Sequence, residues 1–189
     1  MNIKMFISSQ DLELVNGIWQ KKPNSLIIKP ANSLVKQFLQ QMKYNFSVAT
    51  LGTTCRDTGG TLRALPGTGF SLVANAGIVT WGIVVGTGTD AVTILDYKLQ
   101  TQIAHGTGAG QLSYAAMLFP NADVTVAGGV CYYDFNRTFT NSSGGAITIQ
   151  EIGLYVLNNY NFMFDRTLFE KTITNGAGAI LTYRIQISV

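Results

Sequence analysis

At 189 residues, with 47% apolar and only 12% charged side chains, the chain is sized for one well-buried domain and lacks the composition of a disordered polypeptide. A net charge of +3, carried by scattered basic residues with no run longer than Lys21-Lys22, argues against nucleic acid as a partner. No stretch approaches the ~18 apolar residues of a membrane span, and the opening MNIKMFISSQDLEL lacks the apolar core of a signal peptide. A protein made in a cytosol, with no membrane partner, is therefore expected.

Residues 1–30 hold short apolar clusters, Met5-Phe6-Ile7, Ile18-Trp19 and Leu26-Ile27-Ile28, broken by polar residues. They read as an N-terminal arm or edge segment, with residues 31–189 as the domain. After Pro30, Asn32 or Ser33 can cap a helix over 33–44. Its packing face is Leu34, Val35, Phe38, Leu39 and Met42, opposite Lys36, Gln37, Gln40, Gln41 and Lys43.

From Phe46 onward the pattern is that of strands, expected at 46–54, 61–65, 77–86, 124–139, 146–157, 167–173 and 180–189. The last alternates most regularly: Leu181, Tyr183, Ile185, Ile187 and Val189 against Thr182, Arg184, Gln186 and Ser188. Short spacing without intervening helices predicts a mainly β fold, a single antiparallel β-sandwich of jelly-roll type with one N-terminal amphipathic helix.

The segment NRTFTNSSGGAITIQEIGLYVL, Asn136 to Leu157, carries the strongest signal. Cys131, Tyr133, Phe135, Arg137 and Phe139 share one strand face; Ile147, Ile149 and Glu151 share another; Asn141 to Gly145 reads as a hairpin turn between them. In that register Arg137 falls opposite Glu151, and an ion pair on an apolar face is expected. Asn175 to Gly178 reads as a second hairpin turn. After Glu151 the apolar positions switch to Ile152, Leu154 and Val156. That switch means burial on both faces or a bulge near Gln150-Glu151, and either makes the strand central or interface-facing.

Little here points to chemistry. The segments Gly86 to Asp90 and Gly106 to Gly110 lack a third glycine at the spacing of a dinucleotide fingerprint with a helix immediately after, and they lack the Gly-Lys-Ser/Thr ending of a phosphate loop. His105 is the sole histidine, no serine sits in a nucleophile elbow, and the ten acids are isolated, so no catalytic residue, metal site or cofactor is expected. Cys55 and Cys131 read as buried small side chains of a reducing compartment rather than a bridge. Asn158-Asn159-Tyr160-Asn161-Phe162 interleaves amides with aromatics, which suits an intersubunit contact or a ligand edge, a sugar among the ligands.

Four segments in order, GIVVGTGTDAVTILDYKLQTQI from Gly82, HGTGAGQLSY from His105, RTFTNSSGGAITIQEIGLY from Arg137 and the close from Asp165 to Val189, resemble a recurrent group of tailed-phage virion proteins. Asp57-Thr58-Gly59-Gly60 and Glu151-Ile152-Gly153-Leu154 match segments of that group. The resemblance spans roughly residues 33 to 189 and brings no catalytic residues. It implies a structural, non-enzymatic component of a virion assembled in the host cytoplasm, partnered by other virion proteins and by copies of itself. A capsid decoration or cement protein is the first expectation, and a neck, tail or glycan-binding receptor component the alternative.

Overall fold

The computed structural model describes residues 2–31, 35–40, 54–64, 70–120 and 123–188. Among these, the chain is mainly β, and every pairing between its twelve strands is antiparallel. In chain order the strands are β1 (Asn2–Val15), β2 (Ile18–Lys21), β3 (Ile27–Ala31), β4 (Thr54–Arg56), β5 (Leu62–Ala64) and β6 (Gly82–Gly86). They continue with β7 (Ser113–Leu118), β8 (Thr125–Ala127), β9 (Val130–Thr140), β10 (Ile147–Asn158), β11 (Tyr160–Ile173) and β12 (Gly178–Ser188).

A seven-stranded sheet is built on β1-β12-β9, with β2 and β3 sharing the outer edge of β1, and β7 and β8 sharing that of β9. A second sheet has the order β11-β10-β6, and β4-β5 form a small ribbon. Alternation decides which face of the large sheet is buried. The rows Ile7–Tyr183–Phe135 and Ser9–Leu181–Arg137 are fully buried, whereas Phe6–Arg184–Asp134 and Ser8–Thr182–Asn136 form the partly exposed outer face. Ile83, Val85, Ile149, Ile152, Phe162 and Phe169 of the second sheet join the same apolar cluster as Phe135, Leu181 and Tyr183.

Three expectations need correction. First, Asn141 to Gly145 closes no hairpin: β9 belongs to the large sheet and β10 to the three-stranded one, so the turn carries the chain between sheets. The turn after β11 does the same, because β12 pairs with β1 and β9. The two crossings hold each other: Asn141 N–H donates to Ala177 O (2.9 Å), Gly176 N–H to Asn141 O (2.8 Å), and the Asn141 amide to Ile173 O (2.7 Å). Period-two alternation shows that a strand has one buried face, but two sheets facing a common core satisfy it as well as a hairpin does. The hairpin turns lie elsewhere. Asn16-Gly17 joins β1 to β2 with φ of 51° and 78°, and Gly128-Gly129 joins β8 to β9 with 57° and 78°, left-handed pairs that suit a type I′ turn.

Second, residues 1–30 are more than an arm. β1 pairs with β12 at eleven positions, from Asn2↔Ser188 to Leu12↔Gly178, and buries Met5, Ile7 and Leu12; only β2 and β3 are edge strands. Third, among the described residues helix is present at 36–40, and Leu34 and Met42 of the expected packing face lie outside them. Val35 is buried and Phe38 meets Phe164 edge-on at 5.4 Å, but Leu39 is 63% exposed and Gln37 is buried instead. The cause is local anchoring. Val35 N–H donates to Phe164 O and Lys36 N–H to Ile94 O, which fixes the entry of the helix and turns the Val35-Gln37-Phe38 side inward.

Of the two expected origins of the phase switch in β10, burial on both faces is the one present, because the extra residue of the nearby bulge stands on β11, where Leu168 to Lys171 oppose Glu151 to Ile149. A register shift lies between Ile149 and Glu151, and all six residues from Glu151 to Val156 are buried in the middle strand of the second sheet.

Candidate functional site

Arg137 and Glu151 are both fully buried, but each has its own partners. Arg137 reaches from β9 across the core to the backbone of the 75–83 segment. Its Nε–H donates to Ala115 O (2.7 Å), Nη1 to Ile83 O (3.0 Å) and Trp81 O (3.4 Å), and Nη2 to Ile78 O (2.6 Å) and Asn75 O (3.1 Å). Five N–H donors thus meet five carbonyls, with the Tyr114 ring 4.9 Å beneath the guanidinium. Burial pulls the group down to about 10, opposed by Tyr114, and leaves it charged at neutral pH. Carbonyl dipoles replace the carboxylate expected from the sequence.

Glu151 is met by Arg166, which stands on the neighbouring strand β11. The Arg166 Nε–H donates to Glu151 Oε2 (2.7 Å), its Nη1 to Asp96 Oδ2 (2.9 Å) and its Nη2 to Asp90 O (3.1 Å). Glu151 also accepts backbone N–H groups from Thr101 (2.8 Å), Gly88 (3.2 Å) and Gln100 (3.1 Å). One carboxylate therefore fastens both ends of the 88–101 loop to the centre of the sheet. Gly86 and Gly88 are required by that approach, since a Cβ at either would lie 2.5 Å from Glu151 Oε1. Burial drives the Asp96 carboxyl up, but hydrogen bonds from Thr93 and Arg166 outweigh it and hold the group below the ordinary range.

The Asn158 to Phe162 segment is a hairpin turn between β10 and β11, made possible by Asn159 at φ 54°. Asn158 and Phe162 are buried, and the β4–β5 ribbon covers part of the rest: Thr58 N–H donates to Asn161 O (2.9 Å), and the Arg63 guanidinium lies 4.3 Å over the Tyr160 ring. Asp57 holds Arg63 in place (2.8 Å) while accepting the Thr61 N–H (2.8 Å). Of the five residues Asn159 and Tyr160 are exposed and Asn161 is half-buried, so the segment presents a narrower edge than its sequence suggests.

The other reactive side chains have structural settings. His105 Nδ1 accepts the Tyr114 N–H (3.1 Å), so one imidazole nitrogen is committed to the backbone. Cys55 is fully buried and its thiol is pushed up to about 11 by burial, with Lys36 opposing. Cys131 is partly exposed, and both thiols are unbridged. A thiol reagent at pH 8 is expected to modify Cys131 and to reach Cys55 only after denaturant is added. Rapid modification of two thiols in the native protein would contradict this burial. Among the described residues no group of three or more His, Cys, Asp or Glu side chains is placed to hold a metal ion.

Three buried tyrosines link the sheets and loops. Tyr183 O–H donates to Asp165 (2.8 Å), Tyr114 O–H to Ile103 O (2.6 Å), and the Leu99 N–H donates to Tyr155 Oη (2.5 Å). Burial raises all three phenols above their ordinary value, with the Asp165 charge adding to Tyr183. A raised folded value gives stability that is complete below the unfolded tyrosine pKa of about 10 and is lost as pH climbs past it. In an absorbance titration at 295 nm, these three phenols are expected to ionise only together with unfolding. Titration of all eight tyrosines around pH 10 with unchanged circular dichroism would refute the assignment.

Large apolar side chains remain exposed at both ends of the large sheet. Pairing of β1 with β12 stops at Leu12, and beyond it the β1–β2 hairpin exposes Leu14, Val15, Ile18 and Trp19. Toward the opposite end, Leu118, Phe119, Val124 and Val126 are exposed, Val126 to 75%. No family model matches the chain, and no curated protein or solved structure matches it either.

Proposed function

We propose that the protein is a non-enzymatic structural component of a tailed-phage virion, a decoration protein that covers capsid subunits and adds buried area at their junctions. The observation that carries this reading is the exposed apolar hairpin Leu14 to Trp19, set on a framework whose buried charges serve the backbone. The resemblance of the segments from Gly82, His105, Arg137 and Asp165 to virion proteins supplies the particle. In this reading the two main sheets form one antiparallel sandwich of jelly-roll type, and the exposed apolar ends are its contacts with neighbouring subunits. A specific interface buries on the order of 1,000 Å² or more, and repetition over a symmetric shell turns modest affinities into firm retention.

Copies per particle and particle resilience test it. Hundreds of copies, with loss of resistance to heat and osmotic shock when the protein is absent, are expected. A ring-sized copy number would move the protein to the neck or tail, and unchanged resilience of particles lacking it would remove the cement role.

A further inference from the structure

The outer face of the large sheet holds a groove of about 550 Å³, within the usual range of ligand sites. Its floor is the outward rows of β1, β12 and β9, and Lys21, Leu26 and Ile28 of the β2–β3 edge also line it. Adjacent strands lie about 4.8 Å apart and same-face residues about 6.8 Å apart, so the side chains form a regular lattice. One row reads Phe6–Arg184–Asp134 and the next Ser8–Thr182–Asn136. Arg184 is held on both sides. Its Nε and Nη2 donate to Asp134 at 2.7 and 2.8 Å, its guanidinium lies 3.8 Å over the Tyr132 ring, and its side chain is 40% exposed to the groove side of the sheet.

We infer that this groove is a saccharide-binding site. The lining combines neutral donors and acceptors such as Ser8, Thr182 and Asn136 with a pre-oriented arginine–aspartate pair, one further cation at Lys21, and four apolar side chains, Phe6, Leu26, Ile28 and Ile180. A pyranose chain presents the same mixture, hydroxyl groups that both donate and accept around faces made of C–H groups. Asp134 offsets Arg184, so the groove lacks the cluster of cations that a phosphate backbone requires. Polar side chains also interrupt the apolar ones, unlike the apolar centre of a protein–protein contact. The site stands apart from the virion reading: loss of sugar binding would leave the copy-number test untouched, and the reverse also holds.

The test is titration of the full chain with maltohexaose, chitohexaose, a hexauronate and, as a control, a single-stranded oligonucleotide, followed by amide chemical shifts. At least one saccharide is expected to bind saturably with a Kd on the order of 1 mM or tighter, perturbing residues of β1, β9 and β12 around Arg184. Arg184→Gln and, separately, Asn136→Ala should each weaken it about tenfold; these side chains are on the outer face, and an unchanged melting temperature verifies that the variants fold. Absence of saturable binding by every saccharide, binding indifferent to both variants, or preference for the oligonucleotide would overturn the inference.

Discussion

Arg137→Lys is expected to lower the stability of the protein by about 2–4 kcal/mol, a fall in melting temperature of roughly 5–15 °C for a chain of this size. Lysine keeps the charge but offers three donors at one point, whereas the guanidinium spans carbonyls on Asn75, Ile78, Trp81, Ile83 and Ala115. At least two of those carbonyls would lose a donor, the Ile83 carbonyl being buried and the other four partly buried, and the stacking over Tyr114 would weaken. Arg137→Met should be worse, since all five carbonyls then lose this donor. Equilibrium urea unfolding measures both variants. A lysine variant within about 0.5 kcal/mol of wild type would show that the carbonyls find other donors and that Arg137 is not the organiser of the 75–83 segment.

What the sequence disclosed about these residues, and what it withheld, has a physical reason. Alternation placed Arg137 and Glu151 on inward faces, and both are fully buried. It also located the irregularity beside Glu151, where the register with β11 shifts. Partner identity was not legible, because the inference joined β9 to β10 through the nearest turn, and a turn between sheets has the same glycines as a turn within one. Arg166, the true partner of Glu151, sits in a segment rich in aromatics with nothing local to mark it. The five carbonyls around Arg137 leave no trace in side-chain pattern at all, since any residue supplies a carbonyl. Other features are marked locally in the sequence. Asn16-Gly17 between apolar residues is a strong two-residue hairpin signal, and it would have assigned β1 and β2 to the sheet. The reason for the glycines at 86 and 88, the close approach of the Glu151 carboxylate, exists only in three dimensions.

Glu151→Ala is expected to destabilise by about 3–5 kcal/mol, and the way the loss couples to other sites identifies the partner. Removing the carboxylate leaves the buried Arg166 with Asp96 as its ion-pair partner, and it takes an acceptor from the N–H groups of Gly88, Gln100 and Thr101. Deleting Arg166 as well relieves the uncompensated charge, so Glu151→Ala with Arg166→Leu should cost clearly less than the sum of the single variants, with a coupling of about 1–3 kcal/mol. Recovery stays partial, because three backbone donors still lack their acceptor. Arg137 shares no hydrogen-bond partner with Glu151, so Glu151→Ala and Arg137→Lys should add to within about 0.5 kcal/mol. Glu151→Gln, which keeps the shape and one accepting oxygen, should fall between wild type and alanine. Additivity with Arg166 together with strong coupling to Arg137 would reverse the assignment and restore the pair across the turn.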